Sequence, residues 1–191
     1  MRAPIKQLVA LPPDPIRRRL LKIGALAAAA MMVPAEAFSL PLLPQERSLV
    51  FYNIHTGEHL TATYWSQGRY VPDAMGDIDH LLRDYRTGEV KTIDRGLYDL
   101  LYRVSSVLNS SQPFHVISGY RSPATNAALA EKSHRVSSRS LHMEGMAIDV
   151  YLPDRSLAEL HHVALSLRAG GVGYYPESNF VHIDVGRVRT W

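Results

Sequence analysis

SLHMEGMAIDV, residues 140–150, poses the problem of this chain. The run from Met146 to Leu152 has the apolar residues of a strand, yet His142 stands at its entrance and Asp149 lies within it. Side chains alternate along a strand, so Met146, Ile148 and Val150 share one face, suited to a core, while Ala147 and Asp149 take the other. A carboxylate on that second face is costly unless it is solvated, paired or bound to a metal. FVHIDVG, residues 180–186, repeats the pattern, with Val181, Ile183 and Val185 on one face and Phe180, His182 and Asp184 on the other. Gly145 lets His142 fold back over its strand. His, Asp and His suit catalytic zinc, which takes three protein ligands and leaves a fourth position to water. A core histidine beside a solvated carboxylate is the plainer alternative, and these residues alone leave both open.

Outward from these strands the chain reads as alternating short elements. Leu49–Ile54 and His59–Trp65 are rich in β-formers and flank His55-Thr56-Gly57-Glu58, the pattern of a hairpin. Ile78, Leu81, Leu82 and Tyr85 repeat at helical spacing over 75–85, and Gly88 marks a turn after them. Asp94 is placed to cap a helix with Leu97, Leu100, Leu101, Val104, Val107 and Leu108 on one face. Phe114–Ser118 reads as a strand. Ser122-Pro123 opens a helix to about Lys132, and 133–141 is a polar loop. Ser156-Leu157-Ala158-Glu159 has capping-box spacing and starts a helix that Gly170-Gly171 stops. Gly173–Tyr175 and Phe180–Val185 are the last strands. Helices that precede and interrupt a set of short strands indicate an α+β fold, an antiparallel sheet flanked by helices.

Composition bounds the function. Hydrophobic residues are 46% and charged residues 20% of 191, so the chain can bury one core. The net charge of +3 is unevenly placed. Residues 1–38 hold six of the 21 Lys/Arg and two of the 18 Asp/Glu, which leaves 15 basic and 16 acidic side chains beyond them. No basic run follows that would track phosphates, so a nucleic-acid partner is not expected. The early charge belongs to a leader: a basic cluster, an apolar stretch from Ile23 to Val33, and Ala35-Glu36-Ala37 as an A-x-A cleavage pattern. The stretch is shorter than the roughly 20 residues that span a bilayer. Arg17-Arg18-Arg19-Leu20-Leu21-Lys22 resembles the twin-arginine export motif, with Leu20 where Phe is frequent. The expected organisation is a signal peptide over 1–37, a linker over 38–46 and one domain over 47–191, exported to a bacterial periplasm with no lasting membrane anchor. An uncleaved amphipathic anchor is the alternative. Cysteine is absent, so no disulfide holds the domain. A monomer is the default expectation.

Ser140-x-His142-x-x-Gly145-x-Ala147-x-Asp149 followed by His182-x-Asp184 resembles the zinc peptidases of the D-Ala-D-Ala dipeptidase and carboxypeptidase family (M15-type), which share a fold with lysostaphin and the hedgehog amino-terminal domain. Ser118-Gly119-Tyr120-Arg121-Ser122 matches a further family segment. The hairpin, residues 79–89 and Gly170–Pro176 look closest to its murein endopeptidase K branch. The resemblance implies His142, Asp149 and His182 as ligands of one Zn2+ per chain, Arg121 as the group that stabilises the oxyanion, and Ser140 as a substrate contact. Arg121 could instead pair with a loop acid, and Ser140 could cap its loop. The implied activity is hydrolysis of peptide cross-links in peptidoglycan. D,D- or L,D-carboxypeptidase action on stem peptides, or zinc-containing cell-wall binding without catalysis, are the alternatives. One departure stands out. Where relatives carry an acid or histidine two or three residues before the last ligand, this chain has Phe180 and Asn179. Asp184 is the nearest substitute as catalytic base, or it is the carboxylate that fixes the His182 tautomer. Glu177 and Glu144 are further candidates. Of the other histidines, only His134 in the polar loop is expected near the cleft; His55, His59, His80, His115, His161 and His162 are read as structural.

Overall fold

The computed structural model describes residues 46–132 and 137–191. The leader, most of the linker and His134 lie outside the described residues.

The hairpin forms as its sequence implies. β1 (Glu46–Asn53) pairs antiparallel with β2 (His59–Ser66), with Tyr52 opposite His59. Asn53 closes the turn, its side-chain oxygen accepting from the amides of His55 and Thr56. A two-residue β3 (Arg69–Tyr70) extends β2 at the sheet edge. α1 (Pro72–Leu81) starts three residues earlier than its apolar spacing suggests, because Pro72 occupies the first turn, where its missing N–H costs nothing. α2 (Arg95–Leu108) begins at Asp94, whose carboxylate accepts from the Gly96 amide, and ends at Asn109 in the left-handed region.

β4 (Phe114–Ser118) leads to α3 (Pro123–Lys132). The expected loop before the next strand contains a 3-10 turn, Leu141–Glu144, because Gly145 at φ +69° closes it and returns its amide to the His142 carbonyl. β5 (Ala147–Tyr151) follows, then α4 (Leu157–Ser166), whose capping box between Ser156 and Glu159 is complete. β6 (Gly171–Tyr175), β7 (Phe180–Asp184) and a short β8 (Arg189–Thr190) end the domain. Neither β3 nor β8 has enough residues to leave a period-2 signature.

The eight strands lie in the order β3-β2-β1-β4-β5-β7-β6-β8. The sheet is mostly antiparallel, as expected of this α+β fold, with parallel pairs at β1–β4 and β6–β8. α1 packs on β2, α2 on β1 and α4, and α4 on β6 and β7. The core between helices and sheet holds Phe51, Tyr64, Ile78, Leu97, Leu101, Phe114, Ile148, Val150, Val181 and Ile183, all essentially inaccessible. Burying one such side chain contributes about 1.5–3 kcal/mol, so this face fixes the register of β5 against β7. In that register Asp149 lies opposite His182 and Ala147 opposite Asp184. β5 differs from a half-buried strand in one respect: residues 147–150 are buried on both faces. The 3-10 turn that carries His142 folds back against β5 and closes over its second face. No helix among the described residues is long and apolar enough to cross a membrane.

Candidate metal centre and its cleft

Three elements meet on the sheet face opposite Ile148 and Val150, where Leu129 of α3 also lines the cleft. β5 presents Asp149, β7 presents His182, and the 3-10 turn presents His142. One ligand-type atom from each lies within 4.8 Å of the others, and all three residues are buried. Asp149 Oδ1 is 2.8 Å from His182 Nδ1 and 3.2 Å from His142 Nε2, and the two ring nitrogens are 3.2 Å apart.

The outer partners of each ring decide what these atoms can do. His142 Nδ1 donates to the Gly119 carbonyl at 2.7 Å, which leaves Nε2 as a lone pair. His182 Nε2 donates to Asp184 Oδ2 at 3.1 Å, which leaves Nδ1 as a lone pair. Two imidazole lone pairs and a carboxylate oxygen therefore point at one another. Such a cluster of acceptors is unfavourable unless a cation stands among them. An N, N, O set of this kind suits zinc, and the residues present fit it. Without an ion, a proton on His182 can take its place between ring and carboxylate. Burial opposes charge on His182, but the carboxylates of Asp149 and Asp184 outweigh it and raise its pKa. On His142 burial prevails over Asp149, and its pKa falls. Asp149 is held well below the usual carboxylate range: burial pushes it up, but His142, His182 and Arg121 more than offset this.

The supporting residues explain the short motifs. In Ser118-Gly119-Tyr120-Arg121-Ser122, Gly119 passes so close to the Leu82 backbone that a Cβ would sit 2.4 Å from its carbonyl oxygen, and the Tyr120 amide donates to that same oxygen at 2.8 Å. Only glycine permits this approach, which brings the Gly119 carbonyl to His142. Ser122 is pinned by Asp84 through its amide and hydroxyl, at 2.9 and 2.7 Å. Between these anchors Arg121 donates from Nε to Ser118 Oγ at 2.7 Å and from Nη2 to Asp149 Oδ2. Asp149 thus turns one oxygen to the imidazoles and the other to a guanidinium.

Asp184 lies on the far side of the His182 ring and is fully buried. Its Oδ1 accepts from the amides of Gly171 (2.9 Å) and Gly186 (2.8 Å) and from Arg189, and its Oδ2 accepts from His182 and from Arg189 at 2.7 Å. Burial pushes its pKa up, but these donors hold it below the usual carboxylate range. Gly171 makes room for it, since a Cβ there would meet Asp184 Oδ2 at 2.5 Å.

The donor set floors a cleft of 950 Å³. Arg121 and Ser140 line it, so the structure brings Ser140, Arg121, His142, Asp149 and His182 together. Neither Asp184, Glu177 nor Glu144 is among its described lining residues, and Asp149 is the only carboxylate there. Sequence reading missed several wall residues. His55 lines the cleft, stacked on Tyr85 with centroids 3.9 Å apart. Trp191 sits 5.2 Å from the His182 ring, donates to Tyr175 OH at 2.6 Å, and lies under the Arg189 guanidinium. His55 and Tyr85 come from turns and Trp191 follows the two-residue β8, where no periodicity marks them.

An α+β sheet domain whose cleft floor gathers a His–Asp–His donor set, with an arginine on the carboxylate, is the arrangement expected of the zinc peptidases that the sequence resembles. The chain belongs to that family: the family model described as Peptidoglycan L,D-endopeptidase MepK matches residues 43–191. It is 43% identical to the Peptidoglycan L,D-endopeptidase MepK of Escherichia coli (strain K12) over 178 residues, covering 93% of this chain and 98% of the relative. The protein of the same name from Shigella flexneri matches to the same extent. The Probable peptidoglycan L,D-endopeptidase MepK of Haemophilus influenzae is 37% identical over 179 residues, covering 93% and 96%.

Proposed function

We propose that this protein is a zinc-dependent endopeptidase that hydrolyses L,D cross-links between peptidoglycan stem peptides in the periplasm. The observation that carries the reading is the convergence of His142 Nε2, Asp149 Oδ1 and His182 Nδ1 on the floor of an open cleft. Family membership supports it, and the L,D bond type comes from the names of the relatives. His142, Asp149 and His182 would hold one zinc ion. Bound there, the ion supplies acidity to water and polarises a scissile carbonyl.

The protein's own side chains do the rest. Arg121, clamped between Ser118 and Asp149, keeps a fixed guanidinium on the cleft wall beside the donor set, where it donates to the oxygen that gains charge as the peptide bond is attacked. Ser140, which lines the cleft, would offer its hydroxyl to the substrate backbone. Asp184 is assigned the orienting role, not that of base. Its oxygens are saturated by five donors behind His182, so it holds that imidazole in the tautomer that turns Nδ1 to the metal. Trp191 packs against the same ring.

The cleft runs past the donor set on both sides. His55 and Tyr85 wall it beyond β4, and Tyr175 and Trp191 wall it beyond β7. A cross-link cleaver needs chain on both sides of the bond, whereas a carboxypeptidase needs one side closed. The leader of residues 1–37, with its twin-arginine motif, would deliver the domain of 47–191 to the periplasm.

Digestion of purified muropeptides tests this. The zinc-loaded protein should convert L,D-linked dimers to monomers. Shortening of monomeric stems alone would establish a carboxypeptidase, and no turnover at full metal occupancy would establish a binding domain.

A further inference from the structure

Beyond residue 38 the chain has 15 basic and 16 acidic side chains, yet among the described residues the cleft is lined by five arginines, no lysine and one carboxylate. Arg121 and Arg189 are engaged by Asp149 and Asp184. Arg86, Arg139 and Arg187 are exposed, and no carboxylate among the described residues forms an ion pair with them. Like charges gathered in a cleft without counter-ions repel one another and focus a positive field into it.

Their placement is ordered. Arg86 stands in the turn after α1, which is held by hydrogen bonds from the Arg86 amide to Asp84 Oδ1 at 3.0 Å and from the Gly88 amide to the Asp84 carbonyl at 2.7 Å. Its guanidinium lies 4.2 Å over Tyr85, Tyr85 stacks on His55, and His55 Nε2 bonds the Ile117 carbonyl of β4. Arg187 occupies the turn between β7 and β8, where Asp184 holds the Gly186 amide and the Arg187 carbonyl accepts from Arg189. The donor set sits on β5 and β7, between these positions in the sheet. Arg86 therefore belongs to one arm of the cleft and Arg187 to the other, with Arg139 beside Ser140 on the rim.

We propose that Arg86 and Arg187, assisted by Arg139, are specificity residues that read free carboxylates on the two sides of the scissile bond. The preferred substrate is thus a cross-linked acidic peptide, and its carboxamide counterpart is rejected. This rests on the endopeptidase reading above. An arginine stacked on an aromatic ring keeps its planar fork of donors and loses little freedom on meeting a carboxylate, so the match is geometric as well as electrostatic. An uncharged amide presents half as many acceptors and leaves the arginines without counter-charge.

The test uses two synthetic cross-linked peptides, identical except that the carboxylates flanking the scissile bond are free in one and amidated in the other. Zinc-loaded protein should cleave the free form about tenfold more efficiently, chiefly through KM, and the gap should shrink with added salt. Arg86→Gln and Arg187→Gln should each raise KM for the free peptide about fivefold with kcat retained, leave the amidated peptide unchanged, and be partly rescued by Lys. Folding of each variant is checked by its thermal transition. Equal cleavage of the two peptides, or variants that slow both alike, would overturn the assignment. Should neither peptide be cut, fluorescence anisotropy with the same pair separates the two readings. Tighter binding of the free form keeps the arginine assignment and removes the endopeptidase, while equal binding removes both.

Discussion

Replacing Asp184 by Asn removes one charge from a site whose two oxygens receive five donated hydrogen bonds. The amide fits the volume but cannot match the donors. With its NH2 where Oδ1 was, it opposes the amides of Gly171 and Gly186; with its NH2 where Oδ2 was, it opposes His182 Nε2 and Arg189. Either orientation leaves at least two donors unpaired, each costing about 1–3 kcal/mol. Arg189 is about a third exposed and recovers part of its solvation, so a loss of about 3 kcal/mol is expected, or roughly 10 °C in Tm for a domain of this size. The second consequence is specific to the mechanism. If His182 Nε2 loses its proton acceptor, the ring can take the other tautomer, with a proton on Nδ1, where the metal should bind. Metal affinity should then fall by about 10- to 100-fold, the usual effect of removing a partner behind a ligating histidine. Competition against a chromophoric chelator measures affinity, and thermal unfolding with and without zinc measures stability. An Asp184→Asn protein that binds zinc within twofold of the parent but no longer hydrolyses would refute the orienting role and restore Asp184 as the base.

Other perturbations bear on separate links of the same chain. Gly119→Ala drives a Cβ into the Leu82 carbonyl and should destabilise the domain by about 1–3 kcal/mol while displacing the His142 hydrogen bond, so urea midpoint and zinc affinity should fall together; a loss in neither would mean that the close approach is not needed. Asp84 responds to acid. Burial would raise its pKa, but hydrogen bonds from Thr125 and Ser122 and the amides of Ser122 and Arg86 bring it to about 2. Its folded pKa is depressed, so its contribution of about 2 kcal/mol is present above the unfolded value near pH 4 and is lost as pH falls toward 2. Asp84→Asn should flatten that part of the stability–pH curve, as followed by circular dichroism. Chelator treatment should lower Tm, since zinc at a hundredfold excess over Kd stabilises the folded state by about 2.7 kcal/mol, or roughly 8 °C; an unchanged Tm would place the ion elsewhere or nowhere.

Much of this molecule is written locally. Asp94, Ser122-Pro123 and Ser156–Glu159 mark helix starts by short-range hydrogen bonding or by φ preference, and the alternation in β5 and β7 marks a core face that hydrophobic burial must satisfy. His142, Asp149 and His182 were legible as a set through the spaced motifs shared with the family; strand alternation alone showed polar residues beside an apolar face and left a core histidine equally open. What local pattern could not hold is distance between segments. The pairing of Asp149 with His182 depends on the register of β5 against β7, which the common core sets. The cover over the second face of β5 depends on a 3-10 turn that Gly145 closes. Whether Asp184 faces the cleft or the back of His182 was undecidable from a spacing of two, since both nitrogens of the ring are available; the Gly171 and Gly186 amides and Arg189, gathered only by folding, draw it to the rear. The cleft arginines and the wall of His55, Tyr85 and Trp191 come from turns, loops, a two-residue strand and the residue after it, which carry no period, so only the tertiary structure could assemble them around the donor set.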